Sequence, residues 1–326
     1  MILAGDIGGT STRLALFEAP SGTLRSVVED RFPSREYAGL LEIVQVFVAA
    51  HPHPLEAAAF GIAGPIREGR VETPNLPWVI EARALAAQLG LAGVTLLNDL
   101  EANAWGVFTL GDDDVASLSV GMPAADGNAA ILSAGTGLGE AGYHWDGKSL
   151  HPFASEGGHA DFAPHDELTI ELFRWLHRRH GHVSWERVVS GPGLVNIFTF
   201  LRDVKHGHEA PALARAMNAG DPAAAISKAA LDGSSELAVR ALDLFVALYG
   251  AEAGNLALKM KATQGIWIGG GIAPKILPRL KQPGFLEAFH GKGRFRAFLE
   301  AIPVRVILND RTALRGAAWH ALSSRP

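Results

Sequence analysis

AGDIGGTSTRLALF (4–17) and AAILSAGTGLGEAGYHW (129–145) follow one pattern, in which an apolar run, a glycine-rich turn and a second apolar run succeed each other. Apolar runs bounded by glycine are typical of strands joined by a short turn. The pattern therefore predicts two strand–glycine–strand hairpins. Because one lies in each half of the chain, we expect two halves of related design that face a common ligand.

The segments after the first hairpin alternate between strand and helix patterns. AAAFGIA (57–63) and VTLLND (94–99) are short apolar runs typical of buried strands, while residues 38–50 and 79–90 have helical periodicity. Such alternation is typical of a mixed or parallel sheet covered by helices. A connection rich in glycine and aspartate, at about 109–127, has neither pattern and is the predicted domain boundary.

Length and composition narrow the class of protein. The 326 residues exceed the roughly 250–300 beyond which a single core stops growing, so two domains are expected. A net charge of -5 provides no electrostatic basis for binding nucleic acid or an anionic membrane. The absence of cysteine excludes disulfides, thiolate nucleophiles and cysteine-ligated zinc. Neither a secretion signal nor an apolar run of membrane length is apparent, so a cytoplasmic enzyme is expected.

Three glycine clusters follow predicted strands, namely Gly5–Thr10, Gly135–Gly139 and Gly269–Gly271. Glycine allows backbone N–H groups to point into a concavity that binds phosphate. The P-loop pattern G-x-x-x-x-G-K-[ST] is absent. Residues 137–142 match G-x-G-x-x-G, but a strand pattern follows where the dinucleotide motif requires a helix, so we reject that interpretation.

Two polar positions allow both a functional and a structural interpretation. Asp6 lies among the glycines and would repel phosphate unless Mg²⁺ with its water shell lay between them. Equally, Asp6 fits a turn aspartate that accepts hydrogen bonds from nearby amides. Asn98 and Asp99 lie where a predicted strand passes into a helix, which is where open α/β sheets bind ligands. The same pair is a good helix N-cap, and the local sequence favours the cap.

The glycine motifs carry a resemblance to a known superfamily. GDIGGT (5–10), GTG (135–137) and GGGIAP (269–274) occur in the order of the phosphate and adenosine motifs of the actin, hexokinase and Hsp70 superfamily. This resemblance implies an α/β, two-domain actin-like ATPase (ribonuclease H-like) fold with a nucleotide and sugar cleft between the domains. We predict a small α/β domain at 1–109, completed by the C-terminal helix at about 309–326, and a large α/β domain at 110–308.

Four further segments narrow the resemblance to bacterial glucokinases of the type outside the ROK family. They are LLNDLEANAWG (96–106), SEGGHADFAP (155–164), ERVVSGPGLVNIF (186–198) and GKGRF (291–295). The ROK sugar kinases share the phosphate motif but carry a cysteine-rich zinc site, which a chain without cysteine does not have. ROK repressors add an N-terminal DNA-binding domain, for which a first strand that starts at residue 2 is expected to leave no room.

The resemblance implies a role for each residue of the sugar pocket. Asp99 resembles the general base that accepts the proton of the 6-hydroxyl of glucose as that oxygen attacks the γ-phosphorus. Asn98, Glu156, His159 and Glu186 resemble the residues that bind the other hydroxyls, and Asn75 in TPNLPW (73–78) is a further candidate contact. The implied reaction converts glucose and ATP to glucose 6-phosphate and ADP.

For the nucleotide, the resemblance points to all three glycine clusters. Mg²⁺ would bridge the β- and γ-phosphates of ATP with Asp6 close by, through water. A homodimer is expected from the same resemblance. The implied ATP-binding residues are Gly8, Gly9 and Thr10 in the first cluster, Thr136 and Gly137 in the second, and Gly270 and Gly271 in the third.

Three alternatives stay open at this stage. The same chemistry could act on another sugar, such as mannose, fructose or an amino sugar, or could use polyphosphate or ADP as the phosphoryl donor. The chain could also be a sensor that binds glucose and ATP without turnover, although Asp6 and Asp99 are both present. A scaffold role is the weakest alternative, because no repeat of solenoid length occurs.

Overall fold

The computed structural model describes residues 1–73 and 75–324. Within them the strands are β1 Ile2–Ile7, β2 Ser11–Glu18, β3 Arg25–Pro33, β4 Ala57–Ile62, β5 Arg70–Glu72, β6 Val79–Glu81, β7 Thr95–Asn98, β8 Val115–Ser119, β9 Ala129–Ala134, β10 Leu138–Trp145, β11 Leu150–Ser155, β12 Gly265–Gly269 and β13 Val304–Ile307. The α-helices are α1 Leu40–Ala50, α2 Ala82–Leu89, α3 Asp99–Gly106, α4 Glu167–His180, α5 Gly191–Asp203, α6 Pro211–Ala219, α7 Pro222–Leu231, α8 Glu236–Met260, α9 Leu277–Leu280, α10 Pro283–His290, α11 Arg296–Glu300 and α12 Thr312–Ser323.

The chain divides into two compact units. The first unit comprises Met1–Asp114 together with the residues from Asn309 onward, and the second unit is Val115–Leu308. The last helix, α12, therefore belongs to the first unit, where it packs on α3, β1 and β4. Residues 110–114 also belong to the first unit.

Each unit is built on a sheet of the same design. The first sheet has the order β3-β2-β1-β4-β7, and the second has the order β11-β10-β9-β12-β13-β8. In the first sheet β1 is antiparallel to β2 and parallel to β4. In the second sheet β9 is likewise antiparallel to β10 and parallel to β12. Both predicted hairpins are therefore present, and the glycine turns join equivalent strands of the two sheets.

Helices of each unit pack on one another at points where only glycine fits. A Cβ at Gly316 of α12 would overlap the Ala102 carbonyl oxygen of α3. In the second unit a Cβ at Gly254 of α8 would lie 2.5 Å from the Phe289 carbonyl oxygen, and one at Gly250 would overlap the Phe285 carbonyl. The four-residue spacing of Gly250 and Gly254 in the sequence predicts close packing on one helix face, and these contacts confirm it.

Three segments differ from the sequence-based expectation. Residues 79–90 begin as the short strand β6 and become helical only at Ala82. The connection at 109–127 contains β8, an edge strand paired with β13, whose Ala116 and Leu118 pack against the core of the second unit. The short alternating run VASLSV (115–120) lies between GDDD (111–114) and GMP (121–123), which have the composition of a loop. The strand forms because β13 supplies the backbone partners. After the third glycine cluster the chain makes turns to residue 276 before the short helix α9.

The long helix α8 has the length and mean hydropathy of a membrane-spanning helix, although no uninterrupted apolar run of that length is apparent in the sequence. Within the second unit, 72% of the most apolar 18-residue stretch of α8 is buried. It is covered by α5, α7 and α10. The apolar composition of α8 is therefore accounted for by its place in the core of this unit.

Candidate functional site

The first glycine turn, Gly8–Thr10, joins β1 to β2 and is held from outside the hairpin. Within the turn, the Gly8 amide donates to the Ser11 carbonyl at 3.1 Å. The buried Ser34, just after β3, donates from Oγ to the Gly8 carbonyl at 2.8 Å, and its amide donates to the Thr10 carbonyl at 3.1 Å. Ser34 is a supporting residue that no sequence motif indicates, because its partners lie far from it along the chain.

Replacing Ser34 by alanine should loosen this turn. The Ser34→Ala change removes the hydrogen bond to Gly8 and leaves the buried Thr12 hydroxyl without its 3.0 Å partner. We expect a loss of about 1–3 kcal/mol in the free energy of unfolding. We also expect weaker ATP binding, measured as an increased KM for ATP. Ser26→Ala, at an exposed position on β3, is the control. Equal stability of the two variants would contradict the supporting role.

Asn75 lies directly against the first glycine turn. A Cβ at Gly9 would be 2.8 Å from the Asn75 Cβ, so this approach requires glycine at residue 9. The Thr73 hydroxyl donates to the Leu76 carbonyl at 2.9 Å and so fixes the segment that carries Asn75. A small recess lined by Ile7, Gly8, Gly9, Ala63, Thr73, Asn75 and Leu76 lies between them. Asn75, a sugar candidate, thus adjoins Gly8 and Gly9, which are phosphate candidates.

Asp6 lies in a cluster of charges in the first unit. Asp6 on β1 lies opposite Arg13 on β2 in the strand register. The Nη2 atom of Arg13 is 2.7 Å from the Asp310 Oδ2. Burial, together with the negative charges of Asp99 and Asp310, raises the pKa of Asp6 to about 6, although the Arg13 charge opposes this. The hydrogen bond from Arg13 lowers the pKa of Asp310.

This donor set fits Mg²⁺ held through water. In the described part of the chain, no three His, Asp or Glu side chains come together as a metal site. Mg²⁺ in phosphoryl-transfer enzymes is usually bound by one or two carboxylates, waters and the substrate phosphates. A cation beside Asp6 would also offset the excess of carboxylates there. The surroundings of Asp6 therefore fit a water-mediated ion more closely than a turn aspartate alone.

Asn98 and Asp99 mark the junction of β7 and α3. The Leu100 amide donates to the Asn98 Oδ1 and to the Asp99 Oδ1, both at 2.9 Å. Asn98 Nδ2 donates to the Gly64 carbonyl at 3.3 Å. The helix cap that the local sequence favours is therefore formed by Asn98. Asp99 is an exposed carboxylate in the first turn of the helix, where the helix dipole favours its ionised form.

The second glycine turn, Gly135–Gly137, joins β9 to β10 and bears directly on Glu186. The Gly135 amide donates to the Gly137 carbonyl at 2.8 Å. The Leu138 amide donates to Glu186 Oε2 at 3.0 Å, and a Cβ at Gly137 would be 2.6 Å from that oxygen. The Glu186 carboxylate therefore lies on the turn that also carries the predicted nucleotide residues.

The turn that carries Glu156 and His159 follows β11 and packs against β10. Both residues are exposed and flank a 3-10 turn in which the His159 amide donates to the Glu156 carbonyl at 3.0 Å. A Cβ at Gly158 would overlap the Leu138 carbonyl oxygen. The structure thus brings the sugar candidates Glu156, His159 and Glu186 to the beginning of β10. The sequence around Glu156 and His159, taken alone, indicates only a solvated turn.

A cavity of about 1200 Å³ adjoins the second glycine turn within the second unit. Thr136 and Gly271 line it, as expected of nucleotide residues. Gly270 has φ +83°, and a Cβ there would overlap the Ala134 carbonyl oxygen. Further walls come from the start of α5, from α7 and from Lys275. The sequence alone does not indicate these walls. The helix that starts at Ser190-Gly191-Pro192, for example, carries no sign that its Gly191 amide donates to the Gly135 carbonyl at 2.8 Å.

The comparisons with known proteins agree with one another. The model of the family described as Glucokinase matches residues 3–324. A glucokinase of Nostoc sp. (strain PCC 7120 / SAG 25.82 / UTEX 2576) is 43% identical, over 98% of each chain. A crystal structure of glucokinase from an Antarctic psychrotroph has a TM-score of 0.86 at 30% identity, covering 99% of each chain. A ROK family glucokinase from Streptomyces griseus, solved with glucose and AMPPNP, has a TM-score of 0.65 at 22% identity, covering 99% of each chain.

These similarities confirm the predicted fold class, the two-domain actin-like ATPase fold. The match to the ROK enzyme bears on the fold alone. The family match spans nearly the whole chain, and the Nostoc relative is covered almost completely. The chain belongs to the glucokinase family.

Proposed function

We propose that this protein is a glucokinase, which transfers the γ-phosphoryl group of ATP to the 6-hydroxyl of glucose and releases glucose 6-phosphate and ADP. The observation that carries the proposal is the convergence of the segments that carry Glu156, His159 and Glu186 on the start of β10, directly beside a glycine turn that adjoins a cavity of about 1200 Å³. Sugar-binding carboxylates beside a phosphate turn suit a phosphoryl acceptor and donor bound side by side. Membership of the glucokinase family supports the same reaction.

Asp99 is the general base of the proposed reaction. The 6-hydroxyl oxygen forms a bond to the γ-phosphorus, and the bond between that phosphorus and the β,γ-bridging oxygen breaks. The hydroxyl proton passes to the Asp99 carboxylate, and ADP leaves. The exposure of Asp99 at a helix N-terminus supports this role, because the carboxylate is accessible and the helix dipole is favourable to negative charge at that position. Asn98, Glu156, His159 and Glu186 bind the remaining hydroxyls, with Asn75 as a further contact.

The glycine turns bind the nucleotide in this proposal. The phosphates lie against the turn residues Gly8, Gly9, Thr10, Thr136 and Gly137, with the Gly8 amide held within its turn by the Ser11 carbonyl. Gly270 and Gly271 allow the adenosine to approach the chain. Asp6 holds Mg²⁺ through water. When bound, Mg²⁺ neutralises charge on the β- and γ-phosphates. Because phosphoryl transfer needs positioning and charge stabilisation more than a strong base, rigid turns serve it well.

A panel of sugars and donors tests this proposal. Formation of ADP should be fastest with glucose, and mannose, fructose and glucosamine should give lower kcat/KM at equal ATP. ATP should be required, with polyphosphate and ADP inactive as donors. Faster turnover of another hexose would replace glucose as the substrate. Tight glucose binding without ADP formation would instead identify a sensor. A cytoplasmic homodimer belongs to the same proposal, and sedimentation analysis of the purified chain tests the dimer.

A further inference from the structure

Glu140 is a buried carboxyl group that the proposed reaction does not use. It lies on β10, two residues beyond Leu138 and therefore on the same face of the strand. Its side chain is 1% exposed, and its Oε1 receives no hydrogen bond from any N–H or O–H group in the part of the chain that the structure describes. A buried polar atom left in this way costs free energy, so its presence needs an explanation.

The partner of Glu140 is a second buried carboxyl group, Glu252 on α8, which is 0% exposed. The two carboxyl groups lie within hydrogen-bonding reach of each other. Glu252 also accepts hydrogen bonds from Asn255 Nδ2 at 2.7 Å and from Lys259 Nζ at 3.2 Å. Because Glu252 is already bound by these donors, it is the member of the pair that holds the negative charge. Glu140 then holds the proton and donates it to Glu252.

The Glu140 carboxyl group contacts the turn that carries the sugar candidates. A Cβ at Gly157 would overlap the Glu140 Oε2, so the backbone of that turn rests directly on this carboxyl group. The Ser155 Oγ donates to the Glu140 carbonyl at 3.0 Å and accepts from the Gly157 amide at 3.1 Å. The Glu140 side chain therefore sets the distance between residues 156–159 and β10.

We propose that Glu140 is a positioning residue for the sugar, and that its neutral, proton-sharing contact with Glu252 keeps Glu156 and His159 in their binding position. This inference rests on the proposed function. When the proton is lost, two buried carboxylates face each other and repel. Since α8 is packed in the core, the side that yields is the turn at 157–159. Glucose then binds more weakly, while the ATP-binding turns keep their structure.

The charged groups around Glu140 determine the pH at which this occurs. Burial, first of all, and then the Glu252 charge raise the pKa of Glu140 to about 8, while Lys259 opposes the rise. Burial also raises the pKa of Glu252. Lys292, half-buried beyond α10, is the other charged group here; burial lowers its pKa, and the Glu252 charge opposes this. Because only the neutral form of Glu140 supports binding, the apparent affinity for glucose falls as pH passes through about 8.

The test is the KM for glucose between pH 7 and pH 9 at saturating ATP. For the wild type we expect it to rise about tenfold, the ratio of neutral fractions for a pKa of about 8. We expect kcat and the KM for ATP to change less than twofold. Glu140→Gln keeps the shape and a donor group but does not titrate, so its KM for glucose should stay constant across this range. Glu287→Gln, at an exposed position on α10, should retain the wild-type profile.

Each outcome decides the matter. A flat wild-type profile, or the same rise in Glu140→Gln, overturns the positioning role while leaving the kinase proposal intact. Absence of glucose phosphorylation by the wild type at every pH overturns the proposed function and, with it, this inference. If Glu140→Gln fails to fold, Glu252→Gln serves instead. It removes the second carboxylate, so loss of the Glu140 proton no longer places two negative charges against each other and the rise in KM should disappear. A rise equal to that of the wild type would contradict the pairing.

Discussion

Asp99→Asn should lower kcat for glucose phosphorylation by about 10²–10⁴-fold, the usual contribution of a positioned general base. Asparagine keeps the size of the side chain and an oxygen that accepts the Leu100 amide, so the 2.9 Å bond to the helix can persist. It cannot take up a proton, and it presents a different group to the 6-hydroxyl. The KM for ATP should change little, because the glycine turns are unaltered.

The measurement is a coupled assay of ADP formation at saturating glucose and ATP. Asp166→Asn is a matched control, because Asp166 is also an aspartate at a helix N-terminus, where it accepts the Thr169 amide at 2.7 Å. The control should retain kcat, since asparagine is as good an N-cap as aspartate. If Asp99→Asn kept more than a tenth of the wild-type kcat, Asp99 would be a structural residue of the α3 terminus rather than the base.

Gly270→Ala should lower the free energy of unfolding by about 2–5 kcal/mol. The change combines a positive φ, here +83°, with overlap of the new Cβ and the Ala134 carbonyl oxygen. Each effect alone typically costs about 1–3 kcal/mol. Because Ala134 directly precedes the turn that carries Thr136, relief of the overlap would displace a wall of the cavity. The KM for ATP should therefore rise as well.

Urea denaturation measures the stability, and initial rates measure the KM for ATP. Gly147→Ala separates the two causes, since Gly147 has φ +99° but open space around its Cβ position. That control should lose only the backbone contribution, about 1–3 kcal/mol, and should leave the KM for ATP unchanged. Equal losses for both variants would mean that Gly270 makes no close contact with β9.

Local patterns sufficed for the parts of the fold that depend on neighbouring residues. The hairpins at 4–17 and 129–145 were readable because strand, glycine turn and strand follow each other directly. The helix start at Asp166 depends on neighbouring residues in the same way, because Asp166 forms a complete capping box with Thr169, three residues on. The edge strand β8 was missed although VASLSV (115–120) alternates between apolar and polar residues, since the run is short, glycine and aspartate flank it, and its partner β13 is distant along the chain.

The site was predictable only where a motif named the residue. The sequence around Glu156 and His159 is typical of a solvated turn. The requirement for glycine at Gly157 and Gly158 is clear only from the structure, in which both residues contact β10. Ser34 and Glu140 have no motif at all, because their partners Gly8 and Glu252 are brought to them by tertiary packing. For Asn98 the cap and a contact with sugar are compatible, since capping uses Oδ1, while Nδ2 lies at a longer 3.3 Å from Gly64.

Product analysis tests most directly whether this chain phosphorylates glucose with ATP. Purified protein is incubated with glucose, ATP and Mg²⁺, and ADP and sugar phosphate are quantified by mass spectrometry and ³¹P NMR. We predict that the wild type forms glucose 6-phosphate and ADP in equal amounts. Asp99→Asn should form neither product at a rate comparable to that of the wild type. Glucose binding without either product, or ADP without a sugar phosphate, would contradict the proposed function.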